Sequence, residues 1–353
     1  MTKSRYFGYL KEIKESQHTE IETENDKILI IDGLNTFIRC FAVNPASNDD
    51  GTHIGGIVGF LKSIGYAIKL SNPTRCIITF DGKGGSQRRR KLFPQYKEKR
   101  KVNQRFNRTN DFASKDDERQ SIMMQITRLI QYLDALPLTT MMIENIEADD
   151  TMAYLAKNVL KSSDVILMST DKDFIQLVDD RIAVWSPTKK KLYFKDDVKE
   201  DYKLPAHNFL LYRTLTGDKS DNIPGIRGTG LTTLAKRLPI LFSDEHVTID
   251  KLLDECKDSK IKVMQTISEN RNMLELNYKL MQLNEVDISG SSKMKIMNVI
   301  DSKISRMNGT QFKIMMIEDG ISSVFKNLEF WLRERFLSLD TYANTFNNSC
   351  KQD

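Results

Sequence analysis

The chain predicts an α/β fold, with a central, mainly parallel sheet flanked by helices and a smaller all-helical C-terminal domain after it. Three observations carry this. Short β-branched apolar runs recur through the first 200 residues, helical patterns alternate with them, and beyond about Pro205 only short helices with turn signals remain. The runs are Ile28-Leu29-Ile30-Ile31, Cys76-Ile77-Ile78-Thr79-Phe80, Val165-Ile166-Leu167-Met168 and Ile182-Ala183-Val184-Trp185. Their length and continuous apolar character suit strands covered on both faces. Ile57 to Leu70, Ile122 to Ala135 and Asp149 to Leu160 have helical spacing, and such alternation argues for parallel strands joined by helices.

Residues 1–25 form a polar N-terminal extension holding one apolar cluster, Tyr6, Phe7, Tyr9 and Leu10. It reads as a segment packing on the protein's own surface, with a docking peptide as the alternative. Residues 26–200 make the α/β domain. Residues 201–353 make the helical one, in which Asn208 to Leu215 leads through the Gly-rich stretch Asn222 to Gly230 into Leu231 to Leu238. Leu274, Tyr278 and Met281, then Phe325, Leu328, Trp331 and Leu332, mark later amphipathic helices. Trp331 is expected in the core of that second domain, and Asn344 to Asp353 are expected to fray. Met123-Met124 and Met141-Met142 read as core filling.

At 40% hydrophobic and 29% charged, the 353 residues have enough apolar material for two ordinary domains, which excludes collagen-like, disulfide-scaffold and wholly disordered classes. No apolar run approaches the roughly 20 residues of a membrane helix, and the first residues have no signal-peptide core, so a cytoplasmic location is expected. Cys40, Cys76, Cys256 and Cys350 are far apart and read as reduced.

The net charge of +5 conceals an uneven distribution. Gly82 to Arg108 holds eleven basic residues and one acid, Glu98, and removing that window leaves 42 basic against 47 acidic residues, a body of −5. The acids, in turn, collect at strand ends. The first run ends in Asp32, the second in Asp81, and the third in Ser169-Thr170-Asp171-Lys172-Asp173; Glu147-Ala148-Asp149-Asp150 opens a helix, and Gly217-Asp218-Lys219-Ser220-Asp221 opens the Gly-rich stretch. Parallel strands open their carboxyl ends onto one edge, where such folds place ligands.

Any single Asp there serves as a turn or N-cap residue more often than as a ligand. A cluster is different: two carboxylates ~4 Å apart repel by about 1 kcal/mol in water and about 4 kcal/mol at an effective dielectric of 20. Oxygen-only donors without His or Cys favour Mg²⁺ or Mn²⁺ over Zn²⁺. Carboxylates from several elements suit two ions about 4 Å apart, the arrangement that activates a water and stabilises a leaving oxygen in phosphodiester hydrolysis. The basic window rises from the lip of this edge, immediately after Asp81. Phe93, Tyr96 and Phe106 are interleaved with its charges, as expected where bases stack and cations hold phosphates.

Taken together, these motifs resemble the 5′-nuclease (flap endonuclease) superfamily, most nearly the stand-alone 5′-to-3′ exonucleases and RNase H-type enzymes of tailed bacteriophages, and are similar to the 5′-nuclease domain of bacterial DNA polymerase I. The resemblance runs from about Lys27 to Leu238. It is carried by Ile31-Asp32-Gly33 with Arg39, Phe80-Asp81-Gly82-Lys83, Pro94-x-Tyr96-Lys97-x-x-Arg100, Glu147-Ala148-Asp149-Asp150, Ser169 to Asp173, and Gly217-Asp218-x-x-Asp221-Asn222-Ile223-Pro224-Gly225. Each motif is weak alone; six in order are specific.

The resemblance implies a PIN-like nuclease fold with a helical arch over about 82–120 and a helix-turn-helix over about 207–238. It implies that Asp32, Asp81, Glu147 and Asp149 hold one ion and Asp171, Asp173 and Asp221 a second, with Asp149 able to bridge and Asp150 and Asp218 acting through water. Lys97 and Arg100 match residues at the arch base that contact the scissile phosphate, with Arg39 and Lys83 nearby. Arg88, Arg89, Arg90, Lys91 and Tyr96 would contact nucleic acid. Gly225, Gly228 and Gly230 resemble a duplex-binding loop that often holds a K⁺ ion. Where the family commonly has Lys-Thr-Ala after this loop, the chain reads Thr232-Thr233-Leu234, which moves a duplex contact to Lys236 and Arg237.

The implied function is a two-metal (Mg²⁺ or Mn²⁺) nuclease acting as a monomer on DNA and RNA/DNA hybrids with a 5′ end or flap. Such an enzyme removes RNA primers in replication and docks with replication proteins such as a sliding clamp or single-strand-binding protein. Two other classes fit less well. An aspartate-nucleophile phosphatase wants an acid two residues after Asp32, where Leu34 stands. A catalytically silent DNA-binding module gains nothing from acids concentrated beside DNA.

Overall fold

The structure, a computed structural model, describes residues 27–98 and 106–349. The Tyr6–Leu10 cluster, Arg100, the middle of the expected arch and Cys350 lie outside the described residues. Among the described residues a six-stranded sheet runs in the order β3-β2-β1-β4-β5-β6. Its strands are β1 (Lys27–Asp32), β2 (Arg75–Asp81), β3 (Thr139–Ile143), β4 (Asp164–Met168), β5 (Ile182–Ser186) and β6 (Lys191–Tyr193). All neighbours pair in parallel except β5 and β6. The four expected runs are β1, β2, β4 and β5. The additional strands are edge strands: β3 buries alternate residues and β6 is three residues long.

Period-two alternation of side chains explains the two cores. Leu29, Ile31, Cys76, Ile78 and Phe80 face one side, packed with α1 (Gly33–Val43), α2 (Gly55–Ser71) and α4 (Lys115–Asp134). Ile28, Ile30, Ile77, Val165 and Leu167 face the other, against α5 (Ala148–Tyr154), the π-helical turn Leu155–Val159 and α6 (Lys195–Tyr202). A short α3 (Gln87–Leu92) opens the basic window. Cys40, Cys76 and Cys256 are buried free thiols.

A helical cluster follows, with α7 (Phe209–Thr216), α8 (Leu231–Arg237), α9 (Ile249–Cys256), α10 (Lys262–Glu269) and α11 (Arg271–Met281) around Leu211, Leu215, Leu234, Leu252, Ile267 and Leu274. α12 (Gly290–Asp301) joins the second sheet face through Ile296 and Ile300. The last helices, α13 (Gly309–Glu318) and α14 (Leu328–Ser349), join the first through Phe312, Met316, Leu332 and Phe336. Trp331, expected in a separate helical core, rests on α2: a Cβ on Gly65 would come 2.8 Å from its ring. α14 also continues to Ser349, past the expected start of fraying, because Leu339 and Ala343 are buried along it and Asn347 Nδ2 donates to Ile304 O. Of the methionines read as core, only Met141 is buried; Met123, Met124 and Met142 are 57–70% exposed. Among the described residues no helix is long and apolar enough to cross a membrane.

Candidate functional site

The strand order reverses at β1, so a crevice opens beyond the carboxyl ends of β1 and β4, the switch-point position where open α/β sheets bind ligands. Asp32 ends β1 and Asp81 ends β2, while Ser169 to Asp173 follow β4 and Glu147 to Asp150 start α5. Glycine makes the second of these turns feasible: a Cβ on Gly82 would lie 1.7 Å from Ile143 O.

Capping and site geometry coincide here. Asp32 Oδ1 accepts from Asn35 N at 3.0 Å, capping α1, and its Oδ2 accepts from Ser169 Oγ at 3.1 Å. Asp81 Oδ1 accepts from Ala148 N at 2.7 Å, which fixes the start of α5 against β2. Asp171 Oδ1 accepts from Asp173 N at 2.8 Å, opening a 3-10 turn over Lys172–Leu177.

Asp32 lies within electrostatic reach of Asp81 and Asp171, and Asp149 within reach of Asp32 and Asp171. Burial, with Asp81 and Asp171 adding repulsion, pushes Asp32 up to about 7 against the opposing Asn35 and Ser169 hydrogen bonds. Burial, then Asp32 and Asp171, raises Asp149 well above the carboxylate range. Burial, then Asp171, pushes Asp173 up to about 7 despite Arg213. Burial is the largest cause of all three shifts, and neighbouring carboxylates add to it.

Several of the acids already have cationic partners. Glu147 is buried and pairs with Arg89 Nη1 and Lys97 Nζ, which outweigh burial and hold its carboxyl below the usual range. Asp150 accepts from Arg88 Nη2 at 3.0 Å and from both terminal nitrogens of Arg89 at 2.7 and 2.8 Å. Arg213 bridges Asp173 Oδ1, at 2.6 Å, and Asp218 Oδ2. Asp221 is buried and accepts from Tyr96 OH at 3.2 Å. Guanidinium and ammonium groups thus occupy oxygens of Glu147, Asp150, Asp173 and Asp218. Among the described residues no three His, Cys, Asp or Glu side chains gather closely enough to hold an ion. The chemistry of the donor set still fits divalent ions: Asp32, Asp81, Asp149 and Asp171 are hard oxygen donors in mutual repulsion, which an added cation relieves.

Several nucleic-acid expectations need correction. Arg89 is 4% exposed and lies inside the protein, where its guanidinium donates to Leu280 O, Glu147 and Asp150. Tyr96 is buried too and spends its hydroxyl on Glu147 and Asp221, so it offers no face for stacking. Arg88 turns toward Asp150, and Arg90 is half-buried. Lys83, Lys91, Lys236 and Arg237 are exposed. Arg39 donates to Ser63 Oγ at 2.8 Å in the α1–α2 interface. In the Gly-rich stretch, Gly225 serves packing, since its Cβ would lie 2.0 Å from Thr216 O; Gly228 (φ +90°) and Gly230 are exposed, with no backbone pressed against them.

Arg213, missed in the sequence, was detectable as the one charge in an otherwise uncharged α7, five residues before Asp218. Gln176 was not: its amide bridges Asp173 O, Met281 O and Leu283 N, partners that only the tertiary fold brings together.

Residues 27–203 match the family model described as 5′-3′ exonuclease, N-terminal resolvase-like domain. The chain is 27% identical over 310 residues to a 5′-3′ exonuclease of Aquifex aeolicus, covering 87% of this chain and 96% of that one. It is 30% identical over 247 residues to DNA polymerase I of Bacillus subtilis, covering 68% of this chain but 26% of the polymerase. Its fold is similar to that of the bacteriophage T5 flap endonuclease in complex with DNA and metal ions, with a TM-score of 0.60 at 21% identity, over 83% of this chain and 99% of that one. The switch-point acids and the family match agree: the chain belongs to the 5′-3′ exonuclease family and is a nuclease.

Proposed function

We propose that this nuclease is structure-specific and divalent-metal-dependent, cutting phosphodiester bonds at 5′ ends and flaps of DNA and RNA/DNA hybrids, including RNA primers. The observation that carries the reading is the convergence of Asp32, Asp81, Asp149 and Asp171 on the carboxyl edge of the sheet at the switch point, where neighbouring carboxylates add to the raised titration of Asp32 and Asp149. When bound there, two Mg²⁺ or Mn²⁺ ions supply activation of the attacking water and stabilisation of the leaving oxygen. Asp32, Asp81, Glu147 and Asp149 would hold one, and Asp171, Asp173 and Asp221 the other, with Asp150 and Asp218 behind them.

The chain's own groups do the rest. Lys97 adopts a left-handed backbone (φ 56°) and its N–H donates to Asp221 O at 2.9 Å, so its ammonium is held at the rim of the acidic edge beside Glu147. A phosphate entering between these carboxylates and Lys97 meets a cation positioned for the charge that develops on its oxygens. Arg100, Lys83, Lys91 and Arg90 would extend that cationic lip, while Gly228, Gly230, Lys236 and Arg237 would grip duplex phosphates, with a K⁺ ion at the exposed loop. That a T5 enzyme of similar fold was solved with DNA and metal ions supports DNA and metal binding as such.

The test is cleavage of 5′-labelled flapped, nicked and RNA-primed duplexes with and without Mg²⁺, read by product length. Metal-dependent products cut near the single-strand/duplex junction are expected; metal-independent or length-random products would overturn the reading.

A further inference from the structure

We propose that Arg89 is a positioning residue: it ties Glu147 to the carboxyl end of α11, so that docking of the helical cluster sets one carboxylate of the metal-binding edge. The proposal rests on the metal-site reading above.

All three nitrogens of the Arg89 fork are engaged, on two separate elements: the carboxyl end of α11 and the start of α5. Nε donates to Leu280 O at 2.8 Å, Nη1 to Glu147 Oε2 and to Asp150 Oδ2 at 2.7 Å, and Nη2 to Asp150 Oδ1 at 2.8 Å. Leu280 and Met281 are the last residues of α11, whose terminal carbonyls have no partner within the helix. A buried cation there satisfies an orphan acceptor at the negative end of the helix dipole. Met281 O is taken in the same way by Gln176 Nε2 at 3.0 Å, from the turn that carries Asp171 and Asp173.

α11 is fastened on its other side to the proposed duplex grip. Asn277, completely buried, donates to Thr214 O at 3.0 Å on α7 and to Pro224 O at 2.6 Å in the Gly-rich stretch. One helix therefore connects the Gly-rich stretch, through Arg89, to Glu147 and, through Gln176, to the Asp171–Asp173 turn. Asp150 acquires a role in this arrangement: its two oxygens clamp the planar guanidinium so that Nη1 can point at Glu147 and Nε at Leu280. A lysine, as a point charge, cannot satisfy three acceptor residues on two elements at fixed angles.

The experiment compares Arg89→Lys and Arg89→Met with wild type. Mn²⁺ binding is measured by calorimetry on metal-free protein, single-turnover cleavage at saturating enzyme, and flapped-duplex Kd and its salt slope in Ca²⁺, with thermal unfolding alongside. Both variants should bind Mn²⁺ and cleave about 10- to 100-fold more weakly, the usual size of the effect when an orienting partner behind a metal ligand is removed, with duplex Kd and salt slope unchanged. Arg89→Lys keeps the charge and most of the volume, so it decides the matter even if Arg89→Met does not fold. Two results would overturn the proposal: a lower unfolding temperature with wild-type Mn²⁺ affinity and saturated rate, which makes Arg89 only a scaffold, or a loss confined to Kd and salt slope, which makes it a phosphate contact. Failure of the wild type itself to bind Mn²⁺ would instead defeat the metal-site reading.

Discussion

Replacing Arg213 with Met removes the one guanidinium that bridges Asp173 and Asp218. Its side chain is 11% exposed and those of the carboxylates 17% and 18%, so all three are largely out of water. Breaking a buried pair by deleting one partner costs about 3–5 kcal/mol, and the residual exposure places this case near about 3 kcal/mol. Asp173 can take up a proton near neutrality even beside Arg213, and losing Arg213 moves its titration higher still and relieves part of the cost, so the measurement belongs in clearly alkaline buffer. There the unfolding temperature of the metal-free variant should fall by about 6–12 °C, at ~2–4 °C per kcal/mol. If these oxygens face an ion site, Mg²⁺ supplies the missing positive charge and should recover at least half of the loss. Thermal unfolding followed by circular dichroism, with EDTA or with Mg²⁺, reads both numbers. An equal loss in the two conditions would refute the reasoning, because Arg213 would then be an ordinary structural ion pair.

The pH dependence of metal binding follows from the same carboxylates. Asp32 and Asp173 titrate near 7 in the metal-free fold, above their ordinary 3.8, so the folded chain keeps protons that the unfolded chain releases. Their contribution to metal-free stability therefore falls as pH rises from about 4 to about 7 and is level above that. Bound ions require the ionised forms, so Mn²⁺ affinity should rise about tenfold or more from about pH 6 to about pH 7 and flatten by about pH 8; calorimetry showing a pH-independent affinity would contradict this. Changing exposed Lys236 and Arg237 to Ala should reduce the slope of log affinity against log salt by about 0.9 for each duplex phosphate that is no longer neutralised, and an unchanged slope would remove them from the interface.

How far the sequence could be read varied with the kind of information a residue carries. The strands β1, β2, β4 and β5 were legible because burial on both faces demands unbroken apolar runs. β3 was hidden because its Thr-Thr-Met-Met-Ile lies at the sheet edge, where Met141 turns inward and Met142 outward. The acidic positions were readable because strand ends converge whatever the packing. The identity of their counter-charges was not. Arg89 sits in a run of three arginines that reads as a solvated face, and only the tertiary fold, which brings Leu280 O and Asp150 to its guanidinium, turns it inward. The attachment of α13 and α14 to the first sheet face depends on a tertiary choice between two apolar surfaces, about which helical periodicity says nothing.

On this reading the switch-point carboxylates bind the ions that drive cleavage. Asp149 stands at their centre, raised by burial and by both Asp32 and Asp171. The most direct measurement is single-turnover cleavage of a 5′-labelled flapped duplex in Mg²⁺ by wild type and Asp149→Asn, with duplex affinity measured in Ca²⁺. The account predicts that cleavage by the variant is abolished while the duplex is still bound. Wild-type turnover in Asp149→Asn would contradict it.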